Sequence, residues 1–199
     1  MMRYILFDSD GVCIQAERFS DVLLREKGIT TETTSAFFST IFQECLIGKR
    51  DLKQSLPPYL EEWGIKSSVD ELLAYWFSSE NKPNTELLNY VQVLRKDGMQ
   101  CYLATNQEKY RTEYMEHEMG FGNLFDSIFS SANLGFVKPA RKFYEIIHTE
   151  IGSPNKKEVL FVDNTLENIQ SADEFGFQTI LYKNFPQCLE SLKLLNYPH

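Results

Sequence analysis

Zinc-ligand spacing is missing from this sequence. Its four cysteines, Cys13, Cys45, Cys101 and Cys188, form no C-x-x-C pair, and no histidine stands at ligand spacing from them. They read as reduced thiols, three of them on apolar faces. No apolar stretch approaches the ~20 residues of a membrane span. The opening run, Tyr4 to Phe7, is four residues long and meets Asp8 and Asp10 at once, which excludes a signal peptide and places the expected location in the cytoplasm. Basic excess is absent too: 20 Lys+Arg face 28 Asp+Glu, for a net charge of −8. That balance argues against nucleic acid and anionic membrane as partners. It leaves open a small anionic ligand in a locally positive pocket. There is no P-loop, no internal repeat and no low-complexity segment. The D-x-D-G run at Asp8 does not continue as a calcium loop, because Val12 and Phe19 stand where an oxygen ligand and a glutamate are needed. Gly120-Phe121-Gly122 lacks a third glycine and a preceding strand, so a loop is expected there.

What is present is material for a core: 43% apolar and 14% aromatic residues in 199, enough for one domain or a domain with a modest insertion. Short apolar runs at Tyr4–Phe7, Gln100–Ala104, Ser127–Ser130, Val159–Val162 and Thr179–Tyr182 read as strands. Helical patterns lie between them. Asn84 caps one that carries Leu87, Leu88, Val91 and Leu94 and stops at Gly98. Tyr110 and Tyr114 mark a second, Phe143, Ile146 and Ile147 a third, and Ile169, Ala172 and Phe175 a fourth. Alternation from residue 84 onward predicts a doubly wound, mostly parallel α/β sheet. Residues 15–83 show no strand pattern, only helical ones, among them Phe37, Phe38, Ile41 and Phe42, and Leu72, Leu73, Trp76 and Phe77. The expectation is an α/β body from residues 1–14 and 84–199, with a helical unit from 15–83 inserted after the first strand.

In open α/β sheets, ligands bind beyond the carboxyl ends of strands. Asp8-Ser9-Asp10-Gly11 follows the first strand, Thr105-Asn106 the second and Asp163-Asn164 the fourth, with Lys138-Pro139 nearby in the chain. None of these residues extends an apolar face. The set suits phosphoryl transfer: a carboxylate attacks phosphorus, and a second carboxyl protonates the leaving oxygen and then activates water. A metal offsets phosphate charge. A threonine hydroxyl, neighbouring N–H groups and a lysine hold phosphoryl oxygens.

FDSDGV, YLATN, Lys138 in FVKPARKFY, and FVDNTLENIQSADEFGF resemble, in order and approximate spacing, the four motifs of the haloacid-dehalogenase-like (HAD) hydrolases. The resemblance covers almost the whole chain. It implies a HAD-like Rossmannoid core with a small helical cap, and magnesium (Mg2+) as cofactor. It makes Asp8 the nucleophile and Asp10 the acid/base, with Lys138 completing the catalytic group. Thr105, Asn106 and Lys138 would bind phosphate, and Asp8, Asp10, Asp163 and Asn164 would hold the metal. The chain looks most similar to small sugar-phosphate phosphatases, glucose-1-phosphatase-like enzymes among them, so the implied partner is a small phosphorylated metabolite. One departure stands out: the fourth motif usually begins with two acids, and here Asn164 takes the second place, which predicts weaker magnesium binding. Asp10 argues against dehalogenation. A phosphomutase, and a binding module that keeps the fold without turnover, stay open as alternatives. Lys49 and Arg50 are candidates to reach substrate from the helical unit, and Asn168 is expected to cap or pack locally. Oligomeric state is not readable from the sequence.

Overall fold

The computed structural model describes residues 4–195 and 197; the remaining terminal positions of the expected body lie outside it. Five parallel strands form one sheet in the order β3-β2-β1-β4-β5: β1 Tyr4–Phe7, β2 Gln100–Thr105, β3 Ser127–Ser130, β4 Val159–Asp163 and β5 Gln178–Leu181. The sheet is apolar on both faces, as a parallel sheet covered by helices requires. Its period of two divides the core. Ile5, Phe7, Cys101, Leu103, Leu160 and Val162 point into one cluster. Leu6, Tyr102, Ala104, Val159 and Phe161 point into the other.

Between β1 and β2 lie only helices: α1 Phe19–Lys27, α2 Thr31–Ala36, a π-helical turn at Phe37–Ile41, α3 Phe42–Leu46, α4 Leu52–Ser55, α5 Pro57–Glu62, α6 Val69–Ser79 and α7 Thr85–Lys96. All of these elements but α2 and α7 contribute to a third apolar cluster that contains Trp63 and Trp76. Ser68 and Glu71 form a capping box at the start of α6. Where the chain leaves β1 and where it returns toward α7, the two segments lie side by side: Gln15 N donates to Lys82 O at 2.8 Å, and Asn84 N donates to Cys13 O at 2.8 Å. Asn84 caps α7 and also donates to Val12 O and the Tyr182 hydroxyl, so one side chain ties three segments.

The remaining helices are α8 Lys109–His117, α9 Phe121–Leu124, α10 Ser131–Leu134, α11 Arg141–Glu150, α12 Leu166–Phe175 and α13 Phe185–Leu194. The loop expected at Gly120-Phe121-Gly122 is instead the start of α9. Gly120, at φ 73°, turns the chain so that Phe121 is buried in the core. β2 and β4 each run one residue further than their apolar letters indicate, taking Thr105 and Asp163 into the ladder. All four cysteines are buried free thiols. Among the described residues, no helix is long and apolar enough to cross a membrane.

The chain builds outward from β1 to β3, then returns to lay β4 on the other side of β1. This reversal opens a crevice at the carboxyl ends of β1, β2 and β4.

Candidate active site

Asp8 follows the last residue of β1, and Asp163 ends β4 next to it in the sheet. Lys138 joins them: its Nζ lies 2.6 Å from Asp8 Oδ1 and 2.8 Å from Asp163 Oδ2, and it is 4% exposed. A buried ammonium flanked by two carboxylates is a high-energy arrangement unless every group is paired. Here each charge has a partner of opposite sign, and at least one main-chain or amide donor holds each carboxylate. Asp8 Oδ1 also accepts from Ser9 N at 2.7 Å. Asp163 Oδ1 accepts from Thr165 N at 2.8 Å, and its Oδ2 from Asn168 Nδ2 at 3.0 Å.

Burial pushes the Asp8 carboxyl up to about 7, with Asp163 adding to the rise and Lys138 opposing it. Burial by itself would lower Lys138, but Asp8 and Asp163 outweigh it and raise the ammonium's pKa. The lysine is therefore the fixed cation, and Asp8 is the member whose charge responds to surroundings.

Asp10 stands on the other side of the turn. Gln107 Nε2 donates to its Oδ2 at 2.5 Å. Its side chain opens onto a cavity rather than into packed core, yet the cleft around it displaces enough water to raise its pKa, against the pull of Arg111 and Lys138. Gly11 takes φ 80°, and a Cβ there would come within 2.0 Å of Asn164 Nδ2, so the residue must be glycine for Asn164 to lie against this turn.

Thr105 is 1% exposed, and its Oγ1 meets Ser9 Oγ at 2.5 Å. Asn106 does not cap the helix that follows, a place taken by Glu108. Its amide instead bridges to the main chain of Lys138, accepting from Lys138 N at 2.8 Å and donating to Lys138 O at 3.1 Å. Asn168 likewise holds Asp163 rather than capping its own helix, and its carbonyl accepts from the Tyr144 hydroxyl at 3.0 Å. Sequence reading missed Ser9 and Gln107. Gln107 follows directly on the YLATN run, which was its only signal. Lys49 and Arg50 line a different cavity, with Ile41 and Tyr59. His148 is fixed by a 2.7 Å contact to Pro154 O.

The donors suit a hard divalent cation of modest affinity. No cluster of three or more acidic, histidine or cysteine side chains forms among the described residues. Among the described residues, no protein donor meets Asp8 Oδ2 or the Asp10 carbonyl, and the Asn164 amide oxygen takes only a 3.5 Å contact from Thr165 Oγ1. One carboxylate with neutral oxygens fits magnesium, which keeps several of its waters. Asp163 fits that set less well, because its two oxygens already take three protein donors.

A family model for haloacid dehalogenase-like hydrolases matches residues 2–176. The chain belongs to that family. This HAD hydrolase is similar to phosphatases. It is 26% identical over 194 residues to D-ribitol-5-phosphate phosphatase of Bacteroides thetaiotaomicron, covering 92% of this chain and 93% of that one. It is 30% identical over 118 residues to a sesquiterpene phosphatase of Aspergillus oryzae, covering 57% and 58%. Its fold is that of a HAD-family enzyme of B. thetaiotaomicron solved with magnesium and inorganic phosphate, at a TM-score of 0.79 and 20% identity over 92% of this chain and 95% of that one.

Proposed function

We propose that this hydrolase cleaves phosphomonoesters, with magnesium, through an aspartyl phosphate on Asp8. The observation that carries the reading is the Asp8–Lys138–Asp163 chain of contacts beneath the D-x-D-G turn. In the first step, an Asp8 oxygen bonds to phosphorus and the bond from phosphorus to the leaving oxygen breaks. Asp10 gives that oxygen its proton; burial raises its pKa, which favours the protonated form this step uses. In the second step, Asp10 takes a proton from water, which attacks phosphorus and releases Asp8 and inorganic phosphate. Lys138 holds a phosphoryl oxygen beside Asp8, and Thr105 and the main-chain N–H of Asn106 hold others. Asp163 and Asn106 act through Lys138 by fixing its ammonium and its main chain. Magnesium, held by Asp8, the Asp10 carbonyl and Asn164 with a lesser share from Asp163, would offset the charge between phosphate and nucleophile.

The helical segment 15–83 serves as a cap over an α/β body of residues 1–14 and 84–199. The paired strands of chain at Gln15 and Asn84 are its connection, and Asp10, Asn106 and Gln107 share a cavity with residues of the segment. Similarity to D-ribitol-5-phosphate phosphatase supports a small sugar or polyol phosphate as substrate. Similarity to the sesquiterpene phosphatase supports an apolar ester instead. The phosphate-binding end is the same in both. The test is hydrolysis of p-nitrophenyl phosphate by wild type and Asp8→Ala across a magnesium titration. Metal-dependent turnover lost in the variant supports the reading. Turnover that persists in Asp8→Ala refutes Asp8 as nucleophile, and no turnover at any magnesium level favours the binding module.

A further inference from the structure

The cavity that reaches Asp10 has a volume of about 590 Å³, within the usual range for a small-molecule site. Its far wall is aromatic. Phe38, Phe42 and Trp76 pack on one another with ring centroids 5.4 to 5.7 Å apart, and Phe19 stacks on Trp76 at 4.6 Å. The π-helical turn at Phe37–Ile41 sets this arrangement. Its wider winding sends Phe37 into the buried core while Phe38 and Phe42 stay half-buried and line the cavity.

Four of the polar side chains that line the cavity each spend a donor on nearby main chain, and Ser20 and Thr31 line it as well. Thr34 donates to Thr31 O at 3.3 Å, Ser35 to Glu32 O at 2.8 Å, Ser39 to Ser35 O at 2.6 Å, and Gln43 to Phe38 O at 2.9 Å. On the body side, Gln107 donates to Asp10. A polyol whose hydroxyls face Phe38, Phe42 and Trp76 would find no partner on the rings, and unpaired buried hydroxyls oppose binding. Charge points the same way. Arg18 is the one cation among the described residues lining the cavity, against the acids Asp10, Glu17 and Glu80. A second anionic group on the substrate would be repelled.

We propose that the leaving group of this enzyme's substrate is a neutral, largely apolar alcohol seated on Phe38, Phe42 and Trp76. The inference rests on the phosphatase reading and sets its substrate class. Burial of each methylene against the rings should raise kcat/KM about three- to fourfold until the wall is covered.

The experiment is a series of ethyl, butyl, hexyl and octyl phosphates at saturating magnesium, with D-ribitol 5-phosphate, glucose 1-phosphate and p-nitrophenyl phosphate alongside. The expected result is a kcat/KM that climbs with chain length and exceeds both sugar-type esters by tenfold or more. Phe38→Ser should shrink the octyl-to-ethyl ratio toward one. Octylphosphonate should inhibit wild type at lower concentration than ethylphosphonate, a readout that needs no variant to fold. A flat or falling series, or preference for either sugar-type ester while p-nitrophenyl phosphate is turned over, overturns this inference and leaves the phosphatase reading intact. An unchanged octyl-to-ethyl ratio in folded Phe38→Ser overturns the assignment to this wall. Inertness toward every ester, p-nitrophenyl phosphate included, overturns the phosphatase reading and this inference with it.

Discussion

Lys138→Met removes the buried charge at the centre of the site while keeping an unbranched side chain in its place. Two carboxylates then face each other with no cation between them, where wild type has contacts of 2.6 and 2.8 Å. Breaking a buried ion pair in this way costs about 3–5 kcal/mol. For a chain of this size, that is roughly 6–20 °C in Tm. The cost depends on pH, because Asp8 can escape it by binding a proton. Asp8 already sits at about 7 in the folded protein with Lys138 opposing the rise, and losing Lys138 sends it higher. A carboxyl raised on folding is stabilising while protonated, and that contribution is lost as pH climbs from its unfolded value through its folded one. The variant should therefore run parallel to wild type up to about pH 7, where Asp8 keeps its proton in both, and fall away by up to about 1.4 kcal/mol per pH unit above that. The assay is thermal unfolding of both proteins from pH 5 to 8.5 in chelator, so that no cation replaces the ammonium. A deficit of equal size at both ends would mean that Lys138 contributes packing rather than charge. No deficit at pH 8.5 would refute the coupled triad.

Three further outcomes follow from the same geometry. Gly11→Ala forces a left-handed conformation on an L-residue, costing about 1–2 kcal/mol. It also pushes Asn164 off the turn, so Tm should fall and half-maximal turnover should need more magnesium; an unmoved metal requirement would show that Asn164 is not a ligand. Asn164→Asp supplies a second carboxylate at that turn and should tighten magnesium binding, measured by calorimetry; unchanged affinity would refute its place in the donor set. Burial raises Glu80 from 4.5 to about 7 against the pull of Arg111, so its stabilising contribution is present at low pH and lost as pH rises through that window. Glu80→Gln should remove up to roughly 3 kcal/mol of that pH-dependent loss, and a wild-type slope of Tm against pH in the variant would contradict it.

Much of the sheet was legible because burial on both faces leaves a sheet strand almost no polar letters. YILF and VLFV read as strands from four residues each. Asp8, Thr105 and Asp163 stood out because each interrupts such a run at its carboxyl end. Partners fixed by long-range packing were not legible. Nothing local says that the Asn106 amide will grip the main chain of Lys138, 32 residues on, or that Asn168 will turn inward to Asp163. Gly120-Phe121-Gly122 reads as a loop because glycines dominate it, yet burying Phe121 is enough to close a turn of helix there. Phe38 and Phe42 lie on an ordinary helical repeat. Only the π-helical winding, which no letter announces, separates them from Phe37 and turns them to the cavity. The last helix, Phe185–Leu194, carries its signal in Asn184 and Pro186, a cap followed by a proline in the first turn.

The covalent step on Asp8 is the centre of this account, and Asp10→Asn with p-nitrophenyl phosphate tests it most directly. Nitrophenolate leaves without a proton, so the first step should survive the substitution. The second step needs Asp10 to activate water and should slow by roughly 10²–10⁴-fold. The phosphorylated enzyme should then accumulate, and acid quench followed by peptide mass spectrometry should find one phosphoryl group on Asp8. A burst of nitrophenolate with no phosphoryl group on Asp8, or with the group on another residue, would contradict the account.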